Sequence, residues 1–309
     1  MREVWQTIRD ELIRRASEGE DSVVLSEDTL ETLQSFAQSG NAALASQKTK
    51  KDDVREIEFA SELNVKIETP AAAESRKKVL VKIPADFKMA PIPAPTPFTL
   101  PDADKQTRWN ALRDIVLNDP VCNAHIKPEK KVVFGVGNLD AKIFFCGEAP
   151  GADEEIQGEP FVGRAGQLLT KIIGAMGLSR NDVYIGNIMN WRPELPTPKG
   201  NRPPELFEMD YCLPYLKAQI EIVNPQVVVA LGMTAVSGLL GYDQKRKMGK
   251  IRGIWGKFGQ RDLMITYHPS FLLQYGSAST KRLVWEDMLA VMEKVELPIS
   301  EKQRNYFKS

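Results

Sequence analysis

Four short, largely apolar runs separated by stretches of helical periodicity constrain the fold more than any other feature of this 309-residue chain. Lys142 to Cys146, Val183 to Asn187, Val227 to Leu231 and Leu263 to Thr266 each read as a strand without a polar face. Such strands belong in a sheet covered on both sides, and their alternation with helices makes that sheet mostly parallel, because a parallel crossover runs through a helix. Helices are expected through Trp109, Leu112 and Ile115, then at Ala165 to Met176, Leu206 to Ile222, Met233 to Leu240 and Thr280 to Lys294, with one more apolar run at Val132-Val133-Phe134. The expected architecture is therefore a three-layer α/β/α domain over residues 102–309. Open sheets of this kind bind ligands outside the carboxyl ends of their strands, so the loops after the runs are where chemistry is sought.

The N-terminal third has a different texture. Val4, Trp5, Ile8 and Leu12 share one helical face, as do Leu30, Leu33 and Phe36 after the capping residue Ser26, which predicts two short helices. From about Gly40 the chain is rich in Ala, Ser, Lys and Glu, and prolines follow at 91, 93, 95, 97 and 101. That composition favours an extended, hydrated linker. Residues 1–101 are expected to form a weakly structured arm, with a folded module that binds a protein partner as the alternative.

The 41 Lys plus Arg balance 41 Asp plus Glu, so the overall charge points to no polyanion and only local clusters can. One exists: Lys245, Arg246, Lys247, Lys250, Arg252, Lys257 and Arg261 follow the single acid Asp243 closely. Phosphate contact is one reading of it and a solvated loop the other. Three cysteines form an odd set, and the N-terminus lacks the apolar core of a secretory signal. No stretch approaches the ~20 apolar residues that span a bilayer. A cytoplasmic protein without membrane insertion is expected.

The richest loop follows the first run: Gly147-Glu148-Ala149-Pro150-Gly151, then Pro160-Phe161-Val162-Gly163-Arg164-Ala165-Gly166-Gln167. It has neither the Gly-Lys-Ser/Thr ending nor the Gly-x-Gly-x-x-Gly spacing of the nucleotide-binding loops. Glu148, Asp153, Glu154 and Glu155 would repel a phosphate, so a neutral heterocycle or an oriented water suits the turn better. A second strand-end loop, Tyr267-His268-Pro269-Ser270, could face the same pocket.

These blocks, with Val183-Tyr184-Ile185-Gly186-Asn187 and Pro225-Gln226-Val227-Val228-Val229-Ala230-Leu231-Gly232, resemble the uracil-DNA glycosylase superfamily, specifically its family 4 branch. The resemblance runs from about Val132 to Val295. It implies hydrolysis of the N-glycosidic bond of uracil in single- or double-stranded DNA, leaving an abasic site, as a monofunctional glycosylase of base excision repair. It places Gly147, Phe161 and Asn187 at the base, with Phe161 stacked on the flipped ring and Asn187 reading its edge, since one amide can donate to a carbonyl and accept from a ring N–H. His268 would donate to the leaving uracil. Glu148 and Glu154 are the candidates for orienting water, because Ala149 stands where some relatives carry an acid or amide. Ser270, Phe271 and Leu272 would meet DNA, and Phe271, Leu272 and Leu273 would form an apolar tip that fills the gap in the base stack, with Lys245, Arg246, Lys247 and Arg252 on phosphates. For each the plainer alternative is structural: core packing for Phe161, Leu272 or Phe271, a strand-end turn for Asn187 with Asn190 close by, a helix-terminal acid for Asp153 or Glu155.

The chain departs from the family in one respect. The resemblance implies a four-iron cluster on four cysteines, yet only Cys122 and Cys212 stand at such places, with His125 and Trp191 at the other two and Cys146 in a strand. A cluster needs thiolates at nearly every corner. No cofactor and no metal are expected, the alternative being an unusual site of Cys122, His125 and Cys212. Two rival functions remain: excision of another deaminated base such as hypoxanthine, against which Asn187 argues, and a non-catalytic member that binds DNA or a partner.

Overall fold

The structure, a computed structural model, describes residues 92–194 and 201–308. The two N-terminal helices and most of the linker lie outside the described residues, as does most of the proline-containing insertion after Glu194. Residues 92–101 carry no regular secondary structure, but Ile92, Phe98 and Leu100 pack against the core and the Phe98 ring sits 5.3 Å from that of Tyr215. The last part of the linker is thus a strap on the domain instead of a hydrated spacer.

The helices are α1 (Lys105–Leu117), α2 (Pro120–Ala124), α3 (Ala152–Gln157), α4 (Arg164–Ala175), α5 (Leu206–Val223), α6 (Met233–Leu240), α7 (Met248–Ile251), α8 (Pro269–Tyr275), α9 (Ala278–Lys294) and α10 (Glu301–Arg304). The strands are β1 (Val136–Gly137), β2 (Ile143–Gly147), β3 (Tyr184–Asn187), β4 (Val227–Leu231), β5 (Trp255–Phe258) and β6 (Arg261–Thr266). They form one six-stranded sheet in the order β1-β3-β2-β4-β6-β5. The four apolar runs are its parallel centre, and β1 and β5 are antiparallel edges. None of the helices among the described residues is long and apolar enough to cross a membrane.

Alternation along each strand divides the core into two layers. Phe144 and Cys146 of β2 join Leu112, Tyr215 and Val236 on one face, whereas Ile143 and Phe145 join Leu169, Ile173 and Met288 on the other. Both faces are buried, which is why the central runs have no polar period. Val132-Val133-Phe134 is buried but pairs with no strand. Val133 exchanges hydrogen bonds with Asn190 instead, its N–H donating to the Asn190 carbonyl at 2.8 Å and its carbonyl accepting from Asn190 Nδ2 at 3.1 Å. This fixes Asn190 as a structural residue.

One buried carboxylate ties the helical layer together. Asp119 caps α2 by accepting from the Cys122 N–H at 2.7 Å, and it accepts from the hydroxyls of Tyr211 and Tyr215 of α5, each at 2.8 Å. Burial pushes its pKa up, but the hydrogen bonds from Cys122, Tyr215 and Tyr211 outweigh this and hold it below the ordinary carboxylate value. A depressed folded-state pKa stabilises the fold above the unfolded-state value, and that stabilisation is lost as pH falls through the folded one. Asp119→Ala removes three acceptor contacts from buried donors, so a loss of about 2–4 kcal/mol is expected in denaturant unfolding. Asp119→Asn should flatten the acid limb of stability against pH; an acid limb unchanged from wild type would show that Asp119 does not carry it.

Candidate active site

The site is built where β2 and β3 end side by side. Gly147 pairs with Asn187 in parallel register, and the pairing is extended by the N–H groups of Ile188 and Met189 donating to the carbonyls of Gly147 and Glu148, each at 3.0 Å. A Cβ at Gly147 would run into both Asn187 Oδ1 and the Phe161 ring. Glycine is required here by close approach, and the amide and the aromatic ring are thereby brought to one point. Asn187 is 7% exposed, and its Oδ1 has no hydrogen-bond partner. Leaving a buried acceptor unsatisfied costs about 1–3 kcal/mol, so this oxygen is poised for a donor that is not part of the chain. One other buried side-chain atom among the described residues shares that condition, Trp191 Nε1, and it lies in the aromatic cluster described below.

Phe161 is held in a conformation it would not adopt alone. Its φ of 56° is left-handed, which is costly for a residue with a Cβ. Two charged side chains fix it from opposite directions. Glu154 accepts from the N–H groups of Val162 and Gly163 at 3.0 and 2.9 Å and from Gly151 N–H at 3.1 Å, joining both halves of the loop. Arg180 donates to the carbonyls of Phe161 and Pro160 at 3.0 and 2.8 Å. Gly166 lets α4 approach, since a Cβ there would strike the Phe161 carbonyl. Glu154 was expected as a water-orienting acid, but its oxygens are already committed to backbone donors. Arg180 was not foreseen; nothing in the spacing of a lone arginine beyond α4 signals a contact with the loop before that helix.

His268 enters from the end of β6. Gly232, at the end of β4 with φ +91°, leaves room for it: a Cβ there would lie 2.9 Å from the His268 Cβ. The imidazole caps α8 through Nδ1, which accepts from Ser270 N–H at 3.2 Å and lies 2.7 Å from Ser270 Oγ. A backbone N–H can only donate, so Nδ1 carries no proton and Nε2 carries it. Burial lowers the His268 pKa to about 4, and the ring is a neutral N–H donor at physiological pH. Its centroid is 5.6 Å from that of Phe161. Gly147, Phe161, Asn187 and His268 therefore converge on one place. Glu148 borders it, and burial raises its carboxyl pKa against the opposing effect of a hydrogen bond with Thr234.

The residues expected on DNA divide. Phe271 is half-buried and stacks on Tyr267 at 4.6 Å. Leu272 is buried, and it is Leu273, 49% exposed, that projects; α8 turns successive residues about 100° apart, so only one of the two leucines can face out. The strand register sorts the cations. Trp255 pairs with Met264, near the carboxyl end of β6, and Arg246, well before β5, donates to the Gly241 carbonyl after α6 at 2.7 Å. Lys257 pairs with Asp262 at 2.6 Å and Arg261 donates to Asn224, both toward the opposite end. Arg252 is ion-paired with Asp287 and donates to the Leu283 carbonyl at 2.9 Å. Asp287 also accepts from Thr266 Oγ1 at 2.6 Å, so Arg252 braces the end of β6 from inside, a place a run of basic residues could not disclose.

The residues where the resemblance implies a four-iron cluster do not fit one. Cys122 and Cys212 are buried free thiols within hydrogen-bonding reach of each other, and two thiols are half the set that a four-iron cluster needs. Trp191 is wholly buried and stacks on His125 at 5.0 Å with an 11° interplanar angle, its other neighbour being Tyr211 at 6.1 Å. Rings thus stand where two further ligands would be needed. No group of three or more His, Cys, Asp or Glu side chains that could hold a metal occurs among the described residues.

Residues 134–289 match the family model of the uracil DNA glycosylase superfamily. The chain is 44% identical to a type-4 uracil-DNA glycosylase of Thermotoga maritima over 170 residues, which is 54% of this chain and 84% of that protein. It is 40% identical to one from Saccharolobus solfataricus (54% and 77%) and 38% identical to one from Pyrobaculum aerophilum (53% and 83%). Because Arg180 holds the backbone at Phe161, Arg180→Ala should lower turnover at least tenfold and cost under about 2 kcal/mol of stability, with partial recovery in Arg180→Lys. Turnover equal to wild type in well-folded Arg180→Ala would remove it from the site.

Proposed function

This chain belongs to the uracil DNA glycosylase superfamily, and from that premise we propose that it hydrolyses the N-glycosidic bond of uracil in DNA, with the base held by Gly147, Phe161, Asn187 and His268. The observation that carries the reading is the orphaned Asn187 Oδ1, 7% exposed, beside an aromatic ring and a neutral imidazole. Uracil supplies the missing donor at N3–H and an adjacent acceptor at O4 for the amide Nδ2. Cytosine, with an acceptor at N3 and a donor at N4, mismatches both positions.

The chemistry follows from that placement. Extruded from the stack, uracil lies on the Phe161 ring. The bond between C1′ and N1 breaks with its electron pair moving onto the base, and the negative charge spreads to the carbonyl oxygens. His268 Nε2–H donates to the developing oxyanion without transferring charge, a dipole already in place before the reaction begins. Water adds to C1′ and gives up a proton, for which Glu148 is the acceptor and orienting group; burial raises its pKa above the ordinary carboxylate value, which makes it a better proton acceptor than an exposed carboxylate. Glu154 and Arg180 are positioning residues. Residues 147–163, 187–194 and 267–276 contain no lysine that could form an imine with the sugar, which supports a monofunctional enzyme. Lys245, Arg246 and Lys247 supply phosphate contacts, and three free thiols accord with a reducing cytoplasm. A protein partner for the arm of residues 1–101 is part of the proposal on composition alone.

Release of free uracil from single- and double-stranded oligonucleotides tests the reading. Wild type should release it, and Asn187→Ala and His268→Ala should each lose at least tenfold; no release from either substrate at high enzyme concentration would overturn it. Contrary to the expectation from sequence, Asn187 does not argue against hypoxanthine, which offers it the same neighbouring donor and acceptor, so a strand containing it belongs in the assay as a direct competitor. Because His268 acts as neutral imidazole with a pKa of about 4, its titration should cause no loss of excision as pH rises through 6.5. An alkaline decline centred near 6.5 would mean that a protonated histidine is used.

A further inference from the structure

The strand end that leads to His268 is anchored by a buried polar assembly. Asp287 of α9 is 2% exposed, and Thr266, the last residue of β6, is fully buried. The Thr266 hydroxyl donates to Asp287 Oδ2 at 2.6 Å, and Arg252 donates to the same carboxylate through Nε, at 3.2 Å, and through Nη2. Nη2 also donates to the Leu283 carbonyl, which ties the guanidinium to α9 at a second point. The next residue, Gly253, donates its N–H to the Ile265 carbonyl at 2.8 Å. With φ at +71° and a Cβ that would lie 2.7 Å from Asp287 Oδ1, that position requires glycine. One turn thus grips the strand end and α9 together, by side chain and by backbone.

From Thr266 two short routes lead to the imidazole. Its carbonyl accepts from Gly232 N–H at 2.9 Å, and Gly232 is the residue packed against the His268 Cβ. Along the chain, Tyr267 alone separates Thr266 from His268. His268 precedes Pro269, which keeps its backbone extended, at φ −67° and ψ 141°. The local conformation is therefore set by sequence, and what remains to be fixed is where the strand end stands. A buried ion pair adds little stability over apolar packing of similar volume; what it supplies here is a fixed position.

We propose that Asp287, held by Arg252, positions His268 through the Thr266 hydroxyl and so sets the aim of the Nε2–H at the leaving base. This rests on the glycosylase reading above. A hydrogen-bond donor stabilises a developing oxyanion only when it is aimed before the reaction begins, and a misplacement of ~1 Å can cost ~100-fold. Asp287, Arg252 and Thr266 are positioning residues that act through the end of β6.

Thr266→Val tests this, because it exchanges the hydroxyl for a methyl group of similar shape and leaves Asp287 paired with Arg252. On a single strand bearing uracil it should lower kcat about 10-fold, part of the loss expected for removing such a donor outright, and leave KM within about twofold. Thr266→Ser, which keeps the hydroxyl, should recover most of kcat. On a strand bearing 5-fluorouracil, whose fluorine stabilises the departing anion, the loss should shrink to about twofold, as should the loss in His268→Ala, because less help is needed from the donor. Added to His268→Ala, Thr266→Val should cost less than about twofold more. An unchanged kcat in Thr266→Val, equal losses on the two bases, or losses that multiply with His268→Ala would overturn the proposal. Nitrogen-15 NMR of the His268 ring separates it from the glycosylase reading. The chain has 2 histidines, so the His268 signals are those missing from His268→Ala, and in Thr266→Val they should shift. Unshifted signals would overturn the proposal whether or not uracil is released. Shifted signals without uracil release from wild type would remove the glycosylase reading and leave the positioning of His268 supported.

Discussion

The parallel pairing of Gly147 with Asn187 is the constraint on which the rest of the site depends. Strand register places the backbones, and the absence of a side chain at Gly147 lets the Asn187 amide and the Phe161 ring meet where any other residue would separate them. The two apolar layers hold that register from both faces, with Phe144 and Cys146 on one side and Ile143 and Phe145 on the other. A slip of one residue would exchange these faces and move Asn187 away from the loop. The recognition geometry is therefore a direct product of how the core packs.

Around this point the molecule accepts local cost in exchange for order. A left-handed Phe161 is worth about 1–3 kcal/mol of strain, an unsatisfied Asn187 oxygen about as much, and His268 is held neutral by burial. Glu154 and Arg180 offset the first by gripping the backbone on either side of the ring. On the proposed reading the second is relieved when a base with a ring N–H enters. The third removes a charge that would otherwise need water and leaves a neutral N–H donor, which the proposed reading sets against the oxyanion. The aromatic cluster of Trp191, His125 and Tyr211, with Asp119 tying Tyr211 and Tyr215 to α2, supports the far side of the helical layer by packing and hydrogen bonds.

Much of this was legible in the chain itself. The central strands could be read because burial on both faces leaves an unbroken apolar run, and Asn187, Phe161 and His268 because they end such strands or follow them in distinctive loops. Strand β5 escaped notice because an edge strand with alternating exposure has only a short, weak pattern, and the apolar run from Val132 to Phe134 could not be assigned from sequence because buried coil is as apolar as a strand. Glu154 looks the same in sequence whether it orients water or accepts from three backbone N–H groups. Arg252 within a basic run, and Leu272 beside Leu273, differ in role only through partners distant along the chain. Arg180 had no signal at all, since its target is a pair of carbonyls.

The central claim is that Asn187 Oδ1 waits for a ring N–H, and competition by free bases tests it most directly. Uracil should inhibit excision, and 3-methyluracil, which lacks only that donor and adds one methyl group, should inhibit at least tenfold less. In Asn187→Ala the two should become more nearly equal. Equal inhibition of the wild type by uracil and 3-methyluracil would contradict the account.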